Sequence, residues 1–332
     1  MRPNCLYLVV PCYNEEELLL ITADKLKEKM TRLMNEGKIS ADSKVLFVND
    51  GSKDRTWELI HSVYKKDKLF GGLSFSRNYG HQSAILAGML TAREKADMVI
   101  TIDADLQQDI EALDDFIACY QDGCEIVYGV RNSRNTDGVF KKESAGLFYK
   151  LMNLMGCEVI TNHADYRLMS KKALDALSEY KEVNLFLRGL IPQMGFKSDI
   201  VYFDVKAREL GQSKYTLKKM INLAMNGITS MSTVPLKLIG FLGIIMCVFG
   251  GCVMISALFD WIRGVTVQGW TTNVVLLCLI GGMIMLSQWI VGEYVGKIYM
   301  EVKERPRYII EAFVLDEGCT EGDEAVSDEG AV

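Results

Sequence analysis

The feature that most constrains the fold of this 332-residue sequence is the alternation of short apolar runs with amphipathic stretches over its first 210 residues. The apolar runs predict five strands, at residues 6–10, 45–48, 73–75, 98–102 and 126–130. The intervening stretches have the apolar spacing of helices, at 16–35, 55–66, 82–94 and 110–120. Strands that are apolar on both faces and alternate with helices predict an α/β fold with a buried, mainly parallel sheet.

Polar residues follow each of the first four predicted strands. These segments read PCYNEE, NDGSKDRT, RNYGH and DADLQ in chain order. In sheets of this kind, ligands bind beyond the carboxyl ends of the strands. Because those ends meet at one edge of the sheet, the sequence predicts a single ligand site built from all four segments.

Two carboxylates of the fourth segment, Asp103 and Asp105, are candidates for a metal site. They lie where the chain turns out of a strand, and hard oxygen ligands of this kind suit Mg²⁺ or Mn²⁺. An EF-hand is excluded because Gln108 and Asp114 stand where that loop needs glycine and glutamate. The sequence contains no P-loop and no dinucleotide-binding glycine fingerprint. We therefore expect a metal and side chains to hold any phosphate-bearing ligand.

Two long stretches without charge, 238–259 and 269–292, distinguish the C-terminal part of the chain. Each exceeds the roughly 20 residues that a helix needs to cross the hydrocarbon layer. We predict two transmembrane helices, at about 238–259 and 270–292. Because Lys and Arg flank the pair on both sides, the short loop 260–268 is predicted to be external and both termini cytoplasmic. A buried helical hairpin in a soluble core is the alternative.

The segments on either side of these stretches are polar or amphipathic. Residues 215–235 have apolar positions at helical spacing and predict an amphipathic helix at the membrane interface, or alternatively a helix of the domain core. Residues 316–332 contain seven acidic side chains and no basic one, which predicts a disordered tail. Without those seven acids the net charge of −6 becomes +1, and no cluster of excess Lys and Arg indicates nucleic-acid binding.

The motifs VVPCYNEEE, VNDGSKDRT, RNYGHQSAILAGM and DADLQQD, in this order, resemble those of glycosyltransferase family 2, which has the GT-A-type fold. With the two apolar stretches, residues 6–307 resemble polyprenyl-phosphate glycosyltransferases of the bactoprenol glucosyltransferase type, relatives of dolichyl-phosphate mannose synthase. We divide the chain into a cytoplasmic GT-A catalytic domain (1–214), an interfacial helix (215–235), a transmembrane hairpin (236–300), a juxtamembrane segment (301–315) and the tail (316–332).

The resemblance implies roles for individual residues. The nucleotide-sugar ligands would be Pro11, Tyr13, Glu15, Asp50, Asp103, Ala104, Arg208, Ser213 and Lys214. The metal ligands would be Asp103, Asp105 and Gln107, with Asp105 and Asp165 as catalytic residues. Arg131 would bind the acceptor phosphate. Arg134 is basic enough to join it, although a solvated loop charge is the alternative.

The chemistry of the acceptor decides what Asp165 has to do. A divalent ion, helped by Arg208 and Lys214, would neutralise the diphosphate that leaves the sugar. An alcohol acceptor needs a base, whereas a monophosphate, with a second pKa near 6, is already largely anionic at neutral pH. Asp165 is therefore either a general base or a residue that positions the substrate.

The predicted function is inverting, metal-dependent transfer of a hexose to undecaprenyl phosphate at the cytoplasmic face of the plasma membrane, for cell-envelope glycosylation. UDP-glucose is the preferred donor, with UDP-N-acetylhexosamine and GDP-mannose as alternatives. An inactive membrane scaffold is the alternative of another class. A processive polysaccharide synthase is excluded because the chain lacks a Gln-x-x-Arg-Trp motif and further membrane spans. The resemblance also implies a homo-oligomer, specifically a tetramer.

Overall fold

An eight-stranded mixed sheet forms the centre of the protein. The computed structural model describes residues 3–132, 163–183, 186–204, 232–263 and 269–315. The strands are Leu6–Cys12 (β1), Lys44–Asn49 (β2), Phe70–Phe75 (β3), Met98–Thr101 (β4), Ile126–Arg131 (β5), His163–Ser170 (β6), Ser198–Phe203 (β7) and Ile310–Val314 (β8). Their order is β7-β5-β6-β4-β1-β2-β3-β8. The pairs β1–β2, β1–β4, β2–β3 and β5–β7 are parallel, and the other three are antiparallel.

Helices connect the strands and cover the sheet. They are Leu19–Asn35 (α1), Thr56–Lys66 (α2), His81–Ala92 (α3), Leu113–Gln121 (α4), Lys171–Ser178 (α5), Leu187–Gln193 (α6), Val234–Ile262 (α7) and Trp270–Val302 (α8), with a short 3₁₀ helix at Ile110–Ala112. In α1, the buried residues recur every three or four positions. This spacing places them on the one face that packs on the sheet.

The two faces of the sheet carry separate hydrophobic layers. One layer contains apolar side chains of α1, α2 and α4, and the other contains those of α3, α5 and α6. Helix α3 is buried on nearly all sides and approaches β1 closely. A Cβ added to Gly88 would lie 2.3 Å from Val9 Cγ1, so only glycine fits there. This packing fixes the N-terminus of α3 beside the carboxyl ends of the strands.

The predicted α/β fold with a mostly parallel sheet is confirmed, and the five predicted strands are all present within a few residues of their expected bounds. Helix α1 begins at Leu19 rather than at residue 16, because the first turn of the predicted stretch belongs to the loop after β1. Three strands were not predicted from the sequence, namely β6, β7 and β8. Strand β6 is antiparallel and lies between β4 and β5.

After α8, the C-terminal part of the described chain returns to the central sheet. Strand β8, which falls in the segment assigned as juxtamembrane, pairs antiparallel with β3. The Tyr308 ring stacks on Phe75 with centroids 5.1 Å apart, and Arg307 Nη1 donates to the Tyr180 carbonyl at 2.9 Å. The segment that follows α8 is therefore joined directly to the sheet that contains β1 to β7.

Helices α7 and α8 form the predicted hairpin and contact each other. Beside it, the Tyr294 hydroxyl donates to the Ser232 carbonyl at 2.6 Å. Among the residues that the structure describes, no helix combines the length and the apolar character required to cross a membrane. The predicted interfacial helix lies almost entirely outside the described residues, as does the acidic tail.

Candidate active site

Hydrogen bonds tie the segments after β1 and β2 to each other. The Asn14 N–H donates to Ser52 Oγ at 2.9 Å, and Asn14 Oδ1 accepts from the Lys53 N–H at 2.9 Å. The Glu15 N–H donates to Thr56 Oγ1 at 3.0 Å. Asn14 adopts a left-handed backbone conformation with φ of 54°, which side-chain and backbone bonds of this kind can stabilise. The predicted nucleotide-binding segments therefore form one connected surface.

Asp50, a predicted nucleotide ligand, ties this surface to the segment after β3. Its Oδ1 accepts from the Tyr79 N–H at 2.7 Å, and its Oδ2 accepts from the Gly80 N–H at 3.0 Å. Burial raises the pKa of Asp50, and the two backbone bonds only partly offset that effect. Next to it, Gly51 has φ of +60°, and a Cβ there would lie 2.2 Å from the Arg77 carbonyl carbon. Asp50 thus fixes the loop that precedes α3.

The loop after β4 presents Asp103 and Asp105, as predicted. Asp103 Oδ2 accepts from Gln108 Nε2 at 2.7 Å, and its Oδ1 lies 3.5 Å from His81 Nε2. Asp105 Oδ1 accepts from the Gln107 N–H at 3.1 Å. Leu106, between Asp105 and Gln107, has a backbone φ of 56°. This conformation is costly for a side chain of its size and tends to occur at functional sites. Gln108 makes a side-chain contact with Asp103, and the role of Gln107 as a metal ligand stays a prediction.

Asp165 lies on β6 at the same edge of the sheet, surrounded by nitrogen donors. Arg188 contacts both of its oxygens, with Nε 3.1 Å from Oδ1 and Nη2 2.8 Å from Oδ2. Arg167 Nη2 donates to Oδ1 at 2.7 Å. His81 Nε2 lies 3.6 Å from Oδ2, so this imidazole stands between Asp165 and Asp103.

The pKa values of the two buried carboxylates shift in opposite directions. Burial would raise the pKa of Asp165, but the charges of Arg188 and Arg167 and the hydrogen bond with His81 outweigh it and hold the pKa well below 3.8. For Asp103, burial and the charges of Asp105 and Asp165 raise the pKa, and the charges of His81 and Arg188 only partly offset them. Asp165 is therefore an ionised, weak base, whereas at Asp103 burial and the neighbouring carboxylates outweigh the nearby positive charge.

This charge imbalance tests whether a divalent cation fits. Asp103 and Asp105 offer hard oxygen ligands at a partly buried, electronegative position, which suits Mg²⁺ or Mn²⁺. No cluster of three or more His, Cys, Asp or Glu side chains able to hold a metal occurs within the described ranges. A Mg²⁺ ion commonly uses only one or two carboxylates and completes its shell with water and substrate phosphates. The two aspartates fit that type of site.

The other predicted ligands are distributed unevenly. Pro11 lies within the buried strand β1, and Tyr13 is partly exposed just after the end of that strand. The Ala104 carbonyl accepts a hydrogen bond from Thr22 Oγ1 at 2.8 Å. Arg131 ends β5, where its Nε is buried and has no hydrogen-bond partner among the described residues. Four predicted ligands lie outside the described residues: Arg134, Arg208, Ser213 and Lys214.

Arg131 and the carboxylate cluster lie on opposite faces of the sheet. Arg131 pairs with Phe203 and shares the side of Val127, which packs in the layer of α1, α2 and α4. Asp165 and Arg167 lie on the opposite side of β6 from Tyr166, which belongs to that same layer. Arg131 therefore reaches the same edge as Asp165 but from the other face of the sheet.

Three residues of the cluster were not singled out from the sequence. His81 stands in the quoted RNYGHQSAILAGM motif and Arg167 lies two residues after Asp165, so both carried a local signal. Arg188 had none, because it is 23 positions from Asp165 in a stretch without motif spacing. Its role becomes visible only when α6 is placed against β6.

Comparison with known proteins identifies the family. Residues 7–178 match the model of "Glycosyl transferase family 2". The chain is 47% identical over 312 residues to "Uncharacterized glycosyltransferase YkoT" of Bacillus subtilis (strain 168), covering 94% of this chain and 93% of the relative. It is 36% identical over 308 residues to "Prophage bactoprenol glucosyl transferase homolog" of Escherichia coli (strain K12), covering 91% and 97%.

A solved structure with a similar arrangement is glucosyl-3-phosphoglycerate synthase from Mycobacterium tuberculosis in complex with Mn²⁺, UDP-glucose and phosphoglyceric acid. The match has 16% sequence identity and a TM-score of 0.43, and it covers 68% of this chain and 78% of that one. The family match and the extent of the sequence relatives are decisive by themselves. The chain belongs to glycosyl transferase family 2 and is a glycosyltransferase.

Proposed function

We propose that this glycosyltransferase transfers a hexose from a nucleotide sugar to a polyprenyl phosphate. The observation that carries the proposal is the state of Asp165. Both of its oxygens contact guanidinium groups, so it is poorly suited to remove a proton from an alcohol. A phosphate monoester needs no such base, because it is largely ionised at neutral pH. The relatives named bactoprenol glucosyl transferase support the same class of acceptor.

The proposed reaction is a single displacement at the anomeric carbon. An anionic phosphate oxygen of the lipid forms the new C–O bond while the bond to the nucleoside diphosphate breaks, which inverts the anomeric configuration. A divalent ion held by Asp103 and Asp105 would neutralise the charge that develops on the leaving diphosphate. Asp165 holds Arg188 in place and carries no proton during the reaction. The inactive-scaffold alternative is set aside because the chain is a glycosyltransferase.

A transfer assay with matched acceptors tests this function. Purified full-length protein is incubated with undecaprenyl phosphate or with undecaprenol, which has the same chain but a hydroxyl head group. Each is tested with UDP-glucose, UDP-N-acetylglucosamine and GDP-mannose. We expect product only with the phosphate, best with UDP-glucose, and with inverted anomeric configuration by NMR. Equal transfer to undecaprenol would refute the assignment of the acceptor.

We further propose that the α7–α8 hairpin attaches the enzyme to the plasma membrane. Large apolar side chains on both helices are more than half exposed, among them Phe241, Ile244, Val248, Leu277 and Met285. Soluble monomers rarely expose contiguous apolar patches of such extent. The uncharged stretches and their basic flanks support insertion with both termini in the cytoplasm. A lipid-linked acceptor would then meet the active site at the membrane surface.

Labelling of single cysteines in sealed cells tests this topology. In a variant without the native cysteines, an impermeant maleimide is expected to label Gly264→Cys but not Ser327→Cys. Labelling of Ser327→Cys in intact cells, or extraction of the protein by alkaline carbonate, would contradict the proposal. The homo-oligomer is proposed on the family resemblance alone, and light scattering of the detergent-solubilised protein would measure its order.

A further inference from the structure

Arg188 is the one arginine of the Asp165 cluster that reaches its surface. Its side chain is 26% exposed, whereas those of Asp165 and Arg167 are 7% and 0% exposed. Arg188 belongs to α6, whose first N–H, from Leu187, donates to Gln82 Oε1 at 3.0 Å. Since Gln82 lies in the first turn of α3, Arg188 is held beside His81 at the ligand-binding edge of the sheet.

The Asp165 cluster contains two guanidinium groups that differ in their access to solvent. One carboxylate, Asp165, contacts two guanidinium groups, and His81 lies on the side that faces Asp103. Arg167 is fully buried and cannot reach a ligand. Arg188 is therefore the guanidinium of this cluster that a ligand can contact. The two bonds from Arg188 Nε and Nη2 to the two oxygens of Asp165 also fix the plane of the guanidinium, which favours recognition of a planar or tetrahedral anion.

We propose that Arg188 binds a phosphate group of a substrate and that Asp165 is its positioning residue. The proposal deepens the proposed function and rests on it for the identity of the phosphates. Two phosphates come to this site, the diphosphate of the donor and the monophosphate of the lipid. Both present the same chemistry to a guanidinium, so the experiment has to distinguish them.

Direct binding measurements separate the two sources without requiring turnover. The full-length protein in detergent is titrated with UDP and uridine, and with farnesyl phosphate and farnesol. We compare the wild type with Arg188→Gln and with Arg188→Lys, which retains the charge but loses the fork. The matched control is Arg93→Gln. Arg93 is 27% exposed and ion-paired with Asp175 at 3.6 Å, and it lies beyond the opposite end of α3.

We expect Arg188→Gln to weaken one phosphate ligand by roughly 10- to 150-fold, the effect of losing a charge-assisted contact. Its dephosphorylated partner should bind as before, and Arg188→Lys should fall between. A loss for UDP assigns Arg188 to the donor, and a loss for farnesyl phosphate assigns it to the acceptor. Unchanged binding of both phosphates, equal weakening of all four ligands, or the same loss in Arg93→Gln would overturn the proposal.

Failure of the proposed function would be visible separately. If the wild-type enzyme transferred sugar to undecaprenol as well as to undecaprenyl phosphate, the acceptor assignment would fail. The comparison of UDP with uridine and of farnesyl phosphate with farnesol would still decide whether Arg188 binds phosphate.

Discussion

The two sides of the active site solve the problem of buried negative charge in different ways. On the β6 side, Asp165 is surrounded by Arg167, Arg188 and His81, and its charge is compensated by the protein itself. On the β4 side, the charge of Asp105 raises the pKa of Asp103, His81 and Arg188 lower it, and amide groups donate to both carboxylates. The carboxylate of the first side is compensated by protein groups alone, whereas the second side is electrostatically suited to receive a cation.

The difference follows from where the two groups stand in the fold. Asp165 lies in a strand paired on both sides, where neighbouring elements can supply fixed partners from β6 and α6. Asp103 and Asp105 lie in the loop that leaves β4, at the boundary with solvent. A group in a packed strand requires permanent compensation, because an unpaired buried charge is costly. A loop at the ligand edge can leave that compensation to a bound ion.

The largest effect on turnover is expected from neutralising a carboxylate on the β4 side of the site. Asp105→Asn keeps the oxygen that accepts from the Gln107 N–H but removes one of two anionic ligands, so transfer should fall to the level of the no-enzyme control. The measurement is turnover with excess Mn²⁺ or Mg²⁺. Asp115→Asn, an exposed position on α4, is the control and should retain wild-type turnover. Near-normal turnover of Asp105→Asn, or of the wild type in EDTA, would contradict a metal-dependent reaction.

Substitution of Asp165 on the β6 side is expected to lower the free energy of unfolding. Asp165→Asn leaves the buried guanidinium of Arg167 without its carboxylate, and breaking a buried ion pair costs about 3–5 kcal/mol of unfolding free energy. Thermal or denaturant unfolding in detergent measures the loss. Asp175→Asn removes the partner of partly exposed Arg93 and should cost about 1 kcal/mol or less. Equal destabilisation by both variants would mean that the Asp165 cluster is not a specially compensated region.

A smaller change in stability, an increase rather than a loss, is expected for Asp103→Asn. The folded-state pKa of Asp103 is raised above 3.8, so the stability it contributes is present below that pH and lost as the pH rises through the folded-state pKa. The folded-state pKa of Asp165 is lowered, so its contribution is present above 3.8 and lost only as the pH falls through the folded value. In EDTA at pH 7, Asp103→Asn should therefore melt above the wild type.

Two measurements sharpen this expectation. The advantage of Asp103→Asn should shrink as the pH is lowered through the folded-state pKa of Asp103, because the wild-type carboxyl then becomes protonated. Added Mg²⁺ should raise the melting temperature of the wild type more than that of the variant, since only the former keeps both anionic ligands. A variant that melts below the wild type in EDTA would contradict the charge imbalance described for the β4 side.

The smallest effect is expected from acidic residues outside the site. Deleting residues 316–332 removes seven carboxylates that have no apolar periodicity around them, so little packed surface is lost. Turnover and metal dependence should stay within about twofold of the wild type, well inside the tenfold that 1.4 kcal/mol represents. A larger fall at equal expression would show that negative charge beyond the two sides of the site contributes to function.

The sequence predicted the part of the fold that local patterns encode. Apolar runs and helical spacing identified β1 to β5 and the helices between them, and the residues after each strand identified one edge as the site. Strand β6 was missed because its sequence, HADYRLMS, mixes polar and apolar residues. The strand is buried on both faces, and it can contain the polar side chains of Asp165 and Arg167 because they pair with each other. Strand β8 was missed because it returns from beyond the helical hairpin.

By itself, the sequence determined which residues are chemically capable of the reaction and the edge of the sheet at which they gather. Strand periodicity is a local property, so Asp103 and Asp105 could be selected from the sequence pattern, whereas Asp165 was selected by its resemblance to the family motif. Only the tertiary structure decided which charges compensate each other. Arg188 and His81 reach Asp165 from α6 and α3, and ion pairing depends on distance and burial in space, which no spacing along the chain specifies.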